Sequence, residues 1–429
     1  VCSAVMCAMP QMLAGWLHDE AAAHAIRALG PAVALVCVSS ALRGFGQGLG
    51  DMLPTAAGQI TESAGKLVIG LALCLVLLNR NAPAELCAAG AIGGVTAGAA
   101  LGLLVTAYLT SRRCTLPEAR DVPPARWETL RQLLAVGVPI TVGAAGMSLI
   151  TLLDQALVTD TLRNTLGYSA AETSALYGQY TFGMTLFQLP PSFIYPVSVS
   201  LMPAITAALT RQDRQAAGSA AGAALKLTTL AALPAGAGLS VLAEPILLLL
   251  YPAVPDTARA AAYHLTFLGL ACVFVCLMVA TNGVLQSYGR PYVPVLTLLC
   301  GGVMKIVTNY LMVGDPATGI RGAAVSTLYC YALIVVLNLL AIARYVPERP
   351  GYIGLFAKPL LLTAVMSLAA RSSWGLLARF LPERWAVLPA ILIAAAVYIL
   401  LALATGAVTR QELLALPKGE KIAQILGLR

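Results

Sequence analysis

Charge is what this sequence has least of. Asp, Glu, Lys and Arg make up 11% of its 429 residues, against 59% hydrophobic residues, where a soluble globular chain carries about 25% charge. No soluble fold of this length could hide so much apolar side chain, so the shortage excludes one and makes lipid the solvent for much of the chain. Histidine is nearly missing, at three residues, and the close cysteine pair Cys272 and Cys276 lies in an apolar run without a neighbouring histidine. A zinc-type centre is therefore not expected, and the pair reads as small buried thiols in a span. The longest polar connection, 111–131, has scattered acids and no histidine. A membrane-embedded glycosyltransferase or polymerase would carry paired carboxylates or a metal set there. No Gly-Lys phosphate loop is present either, so neither an enzyme nor a cofactor is expected. The net charge of +8 is not a nucleic-acid footprint in such a chain, because lysines and arginines mostly set orientation in a membrane.

Long apolar runs are what the sequence has in abundance. A span needs about 20 mostly apolar residues. Twelve runs qualify: 1–16 as a partial one, then 31–49, 54–78, 86–108, 132–158, 175–205, 222–240, 263–285, 293–313, 319–343, 355–378 and 386–405. Their length, and the lack of alternation with period two, predict helices rather than a barrel. Val1 opens directly into "VCSAVMCAMPQMLAGWL" with no basic region ahead of it. This reads as the end of a span and not as a signal peptide. Basic residues in alternate connections number sixteen on one side and eight on the other. The richer side, with the C-terminus, is expected to face the cytoplasm. The connection 111–131 is then a cytoplasmic linker, and 406–429 a cytoplasmic amphipathic tail.

Shifted by 239 residues, the chain overlies itself. "AAAHAIRALGPAVALVCVSSALRGFGQGLGD" (21–51) lies on "AAAYHLTFLGLACVFVCLMVATNGVLQSYGR" (260–290) without a gap, with 12 of 31 positions identical. Gly30/Gly269, Gly44/Gly283, Gln47/Gln286 and Gly50/Gly289 are among them, and further on Lys66 falls on Lys305. Six spans separate the copies, so both cross the membrane in the same direction and the repeat is parallel, with its axis along the membrane normal. Three spans precede the second copy and only 1–16 precedes the first. Two leading spans are therefore expected beyond this chain, fourteen in a complete parent. The expected fold is an all-α integral membrane protein of two parallel-repeat helix bundles, 1–110 and 132–345, with two additional spans in 355–405. Bundles related this way bind cargo in the cleft between them and rock around it, which predicts a carrier.

Few charges lie inside the runs. Each costs roughly 2.5–3.5 kcal/mol at mid-membrane on insertion scales, so each should face protein or water. Lys66 is central in its run and Glu62 is one turn earlier, so the two can pair, either as a self-neutralising pair or as a polar patch on a cavity. Lys305 has no carboxylate within four residues, only Asn309 one turn on, and is expected to line the cleft. Asp154, in "TLLDQALV", is near the outer end of its run, where snorkelling to the surface is the alternative. Arg43, whose repeat partner is Asn282, is near the inner end of its run, at the cytoplasmic mouth of the cleft or among headgroups. Gly44/Gly48 and Gly46/Gly50 are small residues four apart, a spacing that lets helix backbones approach closely in lipid. Gly50, Asp51 and Pro54 are expected to form the turn and open the next helix.

The stretch "ALRGFGQGLGDMLPTAAGQITESAGKLVIGL" resembles the stage V sporulation protein B branch of the polysaccharide-export flippases. These belong to the multidrug/oligosaccharidyl-lipid/polysaccharide superfamily, which also holds the lipid II flippases. "YGQYTFGMTLFQLPPSFIYPVSVSLMPAI" (177–205) and "VTRQELLALPKGEKIAQILGL" (408–428) carry the same resemblance, which covers essentially the whole chain. It implies fourteen spans, residence in the cell membrane and movement of an undecaprenyl-linked sugar precursor for cell-wall or spore-cortex assembly. The transporter is expected to be a monomer among membrane lipids. Lys66 stands where related chains would carry Arg, which keeps the charge but loses bidentate phosphate geometry. Rival readings are a cation-coupled drug antiporter of the same fold, which would need a carboxylate-centred cation site, and a membrane scaffold, which would give Lys305 no purpose.

Overall fold

The computed structural model describes residues 2–16, 23–49, 51–113, 126–346 and 351–407. Gly50, most of the linker 111–131 and the tail from 408 onward lie outside the described residues. Every described element is helical, and the chain divides into two compact units, Val1–Pro124 and Ala125–Arg429.

The first unit holds α1 (Cys2–Ala8), α2 (Pro10–Trp16), α3 (Ala23–Gly48), α4 (Leu53–Asn79) and α5 (Ala84–Arg113). The opening run is thus two short helices broken at Met9–Pro10. α1 packs on α3 at Gly30, where a Cβ would meet Cys7 Sγ at 2.5 Å. The main seam joins α4 to α5. A Cβ on Gly94 would lie 2.2 Å from Gly70 Cα, one on Gly98 2.6 Å from the Lys66 nitrogen, and one on Gly102 2.8 Å from Glu62 Cβ. Positions 58, 62, 66 and 70 of α4 thus run antiparallel over 106, 102, 98 and 94 of α5, every fourth residue on each side. In lipid, apolar faces gain nothing by leaving water, so this backbone approach and its van der Waals contacts hold the pair. Of the glycines singled out in the sequence, Gly44 and Gly48 do not serve this purpose, since a Cβ on either would meet nothing within 4 Å, whereas Gly46 is buried.

The second unit holds α6 (Arg126–Asp160), a π-helical turn (Thr161–Thr165), α7 (Ala170–Phe187), α8 (Leu189–Thr210), α9 (Arg214–Val241), α10 (Ala243–Leu250), α11 (Pro255–Ser287), α12 (Tyr292–Val313), α13 (Arg321–Tyr345), α14 (Tyr352–Leu377) and α15 (Glu383–Ala404). The run 175–205, expected to be one unbroken span, is interrupted at Gln188. Pro190 and Pro191 have no N–H to donate to the preceding turn, which ends the helical ladder there. Ser169 and Glu172 close a capping box at the start of α7. Buried Leu, Ala, Cys and Val line α11 along its length, including Cys272 and Cys276. α9 approaches it closely, since a Cβ on Gly269 would lie 2.7 Å from the Gly236 carbonyl. α14 and α15 pack beside α9, and Tyr398 donates to the Leu230 carbonyl at 2.8 Å.

The repeat is visible in the element bounds. Its 239-residue shift carries Gly48, the end of α3, onto Ser287, the end of α11, and Leu53, the start of α4, onto Tyr292, the start of α12. Among the described residues, nine helices are long and apolar enough to cross a membrane. This is a multi-span helical membrane protein.

Candidate functional site

Among the described residues, each unit encloses a charge cluster between its helices. In the first, Arg43 is five residues before the end of α3 and Glu62 nine after the start of α4. At 1.5 Å per residue these are ~7 and ~13 Å from the shared turn, within an arginine's reach of each other. Arg43 Nη2 meets Glu62 Oε2 at 2.7 Å, and Lys66 Nζ meets Glu62 Oε1 at 2.7 Å. The Glu62–Lys66 pairing follows the sequence expectation. Arg43 turns toward that pair rather than standing free at a helix end. Glu62 is shared by two cations, so the cluster keeps one net positive charge. The Lys66 side chain is 39% exposed while the Glu62 side chain is 11% exposed. Arg43 Nε and the Ser39 hydroxyl, one turn apart on α3, are buried and without a hydrogen-bond partner among the described residues. Buried donors are ordinarily satisfied, so these two are unused capacity at the triad.

The second cluster pairs two residues that the sequence reading takes separately. Lys305 does have an acid, Asp154 of α6, at 3.1 Å, and the two side chains are 6% and 2% exposed. Asp154 therefore does not snorkel, and in this structure Lys305 is enclosed in its bundle. Asn309 donates to Asp154 Oδ1 at 2.7 Å and Tyr180 to Oδ2 at 3.2 Å. Tyr180 also shares a hydrogen bond of 3.1 Å with Thr327, and Ser326 donates to the Asn309 oxygen. A cavity of about 20 Å³ beside Asp154 and Lys305 has room for roughly one water. The pair was not visible in the sequence because i,i+4 reading sees one helix at a time. The signal that could have found the pair was charge balance, since an interior aspartate and an interior lysine each need an opposite charge.

Asn282, the repeat counterpart of Arg43, belongs to a neutral network. Asn338 donates to Asn282 at 2.8 Å and to Thr281 at 3.0 Å, and accepts from Thr297 at 2.7 Å. Sequence reasoning missed Asn338, Thr281 and Thr297, as it missed Ser39, Tyr180, Ser326 and Thr327. Amides and hydroxyls in spans carry no charge cost to betray them.

The geometry describes two units that keep polar groups inside apolar helices, one with a net cation and one neutral. Comparison with known proteins matches residues 66–404 to the model of "MurJ: Lipid II flippase MurJ". The chain is 28% identical over 397 residues to the uncharacterized membrane protein YabM of Bacillus subtilis (strain 168), covering 90% of this chain and 73% of that one. It is 23% identical to stage V sporulation protein B of the same organism, covering 79% of this chain and 64% of the relative, so it spans under two thirds of that protein. A lipid II flippase MurJ structure in an inward closed conformation shares the fold with TM-score 0.60 at 15% identity, covering 89% of this chain and 73% of that one. A MATE structure in complex with MaL6 shares it with TM-score 0.66 at 17% identity, covering 81% and 76%. The resemblance carried by the glycine-rich stretch 41–71 and the family match, which takes in both lysines and most of the chain's length, converge: the chain belongs to the lipid II flippase MurJ family.

Proposed function

We propose that this protein moves a lipid-linked, diphosphate-bearing sugar precursor across the cytoplasmic membrane by alternating access, with no covalent step. The observation that carries this is the net-positive triad of Arg43, Glu62 and Lys66, half-open at Lys66 and holding an unused Arg43 donor. An intramembrane cation that its own acid does not neutralise is suited to an anionic cargo. Lys66 binds as a point charge rather than a rigid fork, which favours hold and release over capture. In this reading Lys305 steadies its own bundle and does not touch cargo. The richer basic side and the C-terminus face the cytoplasm, and a monomer suffices. The cation-antiporter reading is less well supported. Both oxygens of Asp154 are already occupied by Lys305, Asn309 and Tyr180, and Glu62 is held between two cations, so neither carboxylate is open to a free cation.

The test is flipping of a fluorescent undecaprenyl-diphosphate sugar in vesicles holding the protein, beside a neutral undecaprenyl-linked sugar without the diphosphate. Arg43→Gln and Lys66→Gln should each cut movement of the charged lipid about tenfold or more, the worth of one charge-assisted hydrogen bond. The neutral lipid should move poorly in every case. Parental rates in both variants, or equal movement of the two lipids, would overturn the proposal.

A further inference from the structure

The second unit carries a groove that neither charge cluster uses. It has a volume of about 570 Å³ and is enclosed by the end of α9, by α10, by the first half of α11 and by α14. Its lining mixes apolar side chains with Glu244, Tyr263, Thr266, Ser367 and Arg371. Arg371 is the informative one. It is six residues before the end of α14, in a run apolar enough to cross a membrane, and so roughly 9 Å from that helix end. It is exposed, and no hydrogen bond or ion pair holds it among the described residues. An arginine at such a depth is costly unless water or an opposite charge meets it. Its fork of donors matches the oxygens of a phosphate.

The acid in the groove is not spent on this arginine. Glu244, in the first turn of α10, faces Arg259 at 3.7 Å, and Arg259 also faces Asp256 at 3.8 Å. Both distances exceed hydrogen-bond range, so the Glu244 carboxylate keeps its accepting capacity. Ser367 lies one turn from Arg371 on α14, on the same face. The Tyr263 ring forms part of the wall and is itself backed by the Arg321 guanidinium at 5.1 Å. Phosphate-binding and ammonium-binding groups therefore share one groove, beside the apolar residues Leu270 and Ala237, where acyl chains would lie.

From this charge pattern we propose that the groove binds the headgroup of a zwitterionic aminophospholipid, phosphate toward Arg371 and Ser367 and ammonium toward Glu244. A phospholipid seated there would complete the arginine and fix α14 against α9 and α11. The inference does not rest on the cargo reading, because none of these residues belongs to either charge cluster.

The test is native mass spectrometry of the protein released from nanodiscs of phosphatidylethanolamine, of phosphatidylglycerol and of an equal mixture. The parental protein should retain phosphatidylethanolamine in preference to phosphatidylglycerol. Arg371→Gln should lower retention of both lipids about tenfold. Glu244→Gln should abolish only the preference, leaving phosphatidylglycerol bound. Arg371→Lys, which keeps charge without the fork, should fall between parent and Arg371→Gln, and a matching unfolding profile establishes that each variant is folded. Undiminished retention in folded Arg371→Gln, a preference that survives Glu244→Gln, or a parental protein that favours phosphatidylglycerol would each overturn the proposal. Free inorganic phosphate at millimolar level displacing the lipid adduct would mark a simple anion site and would equally overturn it.

Discussion

Lys66 and Lys305 are counterparts in the repeat. Each stands thirteen residues after the start of its helix, or ~20 Å along it. The two units treat them in opposite ways. Lys66 takes its acid from the same helix, shares it with Arg43 and keeps 39% of its side chain exposed. Lys305 takes its acid from another helix, with an amide and a phenol completing the carboxylate, and is 6% exposed. The counterpart of Arg43 is the neutral Asn282, and the counterpart of Glu62 is Gly301, where a Cβ would lie 2.4 Å from Ile334. One position of the repeat is an open cation in one unit and an internal tie in the other. The lesson is that a repeat preserves where a charge sits more faithfully than what it does.

The sharpest way to break this comparison is to unpair the lysines one at a time. Asp154→Ala would leave an enclosed ammonium without its acid, a loss of about 3–5 kcal/mol. The double variant Asp154→Leu/Lys305→Met should recover most of it, because apolar replacement of a buried pair is often neutral. Lys66→Met should cost within about 1 kcal/mol, since the pair is partly exposed and Arg43 still holds Glu62. Reversible unfolding in mixed micelles measures all three. Equal losses for Asp154→Ala and Lys66→Met would show that enclosure does not separate the two sites.

A second contrast lies between glycines. Gly94→Ala would drive a methyl group into the backbone of Gly70, and overpacking of this kind costs about 1–3 kcal/mol. Gly44→Ala, where the added carbon meets nothing within 4 Å, should be neutral or stabilise by up to about 1 kcal/mol through helix propensity. The same unfolding assay orders them. If Gly44→Ala proves the more damaging, α3 has a close neighbour at that face and the α4–α5 seam is not the decisive one.

These glycines also mark how far the sequence could be read. The helical class, the repeat and the turn between its helices were legible because composition, span length and register are properties of the chain alone. The Glu62–Lys66 pair was legible because one turn of one helix fixes it. The Asp154–Lys305 pair and the Arg43–Glu62 contact were not, because they depend on which helix faces meet. In lipid a helix is apolar all round, so no polar stripe tells the inner face from the outer. Gly44 and Gly48 had the spacing of a packing motif, and so did Gly94, Gly98 and Gly102. Only the structure separates the face that meets a helix from the one that does not. The break at Gln188 was within reach of the sequence, since two adjacent prolines follow it.

The smallest expected effect concerns the turns that join the repeated helices. The turn of the first unit carries Asp51, and its counterpart in the second is Arg290. Asp51 accepts from Arg113 Nε at 2.8 Å and from the Leu53 amide at 3.0 Å. The Arg113 hydrogen bond, then that of Leu53, holds its carboxyl below the usual aspartate range. Arg290 instead donates to the Tyr292 hydroxyl at 3.0 Å and lies over the Tyr345 ring at 4.8 Å. A carboxyl whose folded value is depressed contributes stability that is present above its unfolded value, near 3.9, and is lost as pH falls through the folded one. An arginine keeps its charge across that window. Hydrogen-exchange protection, corrected for intrinsic rates, should therefore stay level over 51–56 from pH 7 to pH 5 and fall below about pH 4. Protection over 290–295 should hold throughout, and Asp51→Asn should lose the acid sensitivity of the first turn. Parallel behaviour of the two turns, or an acid response that persists in Asp51→Asn, would mean that the Arg113 contact does not hold the first turn and that the two units differ only in their interior charges.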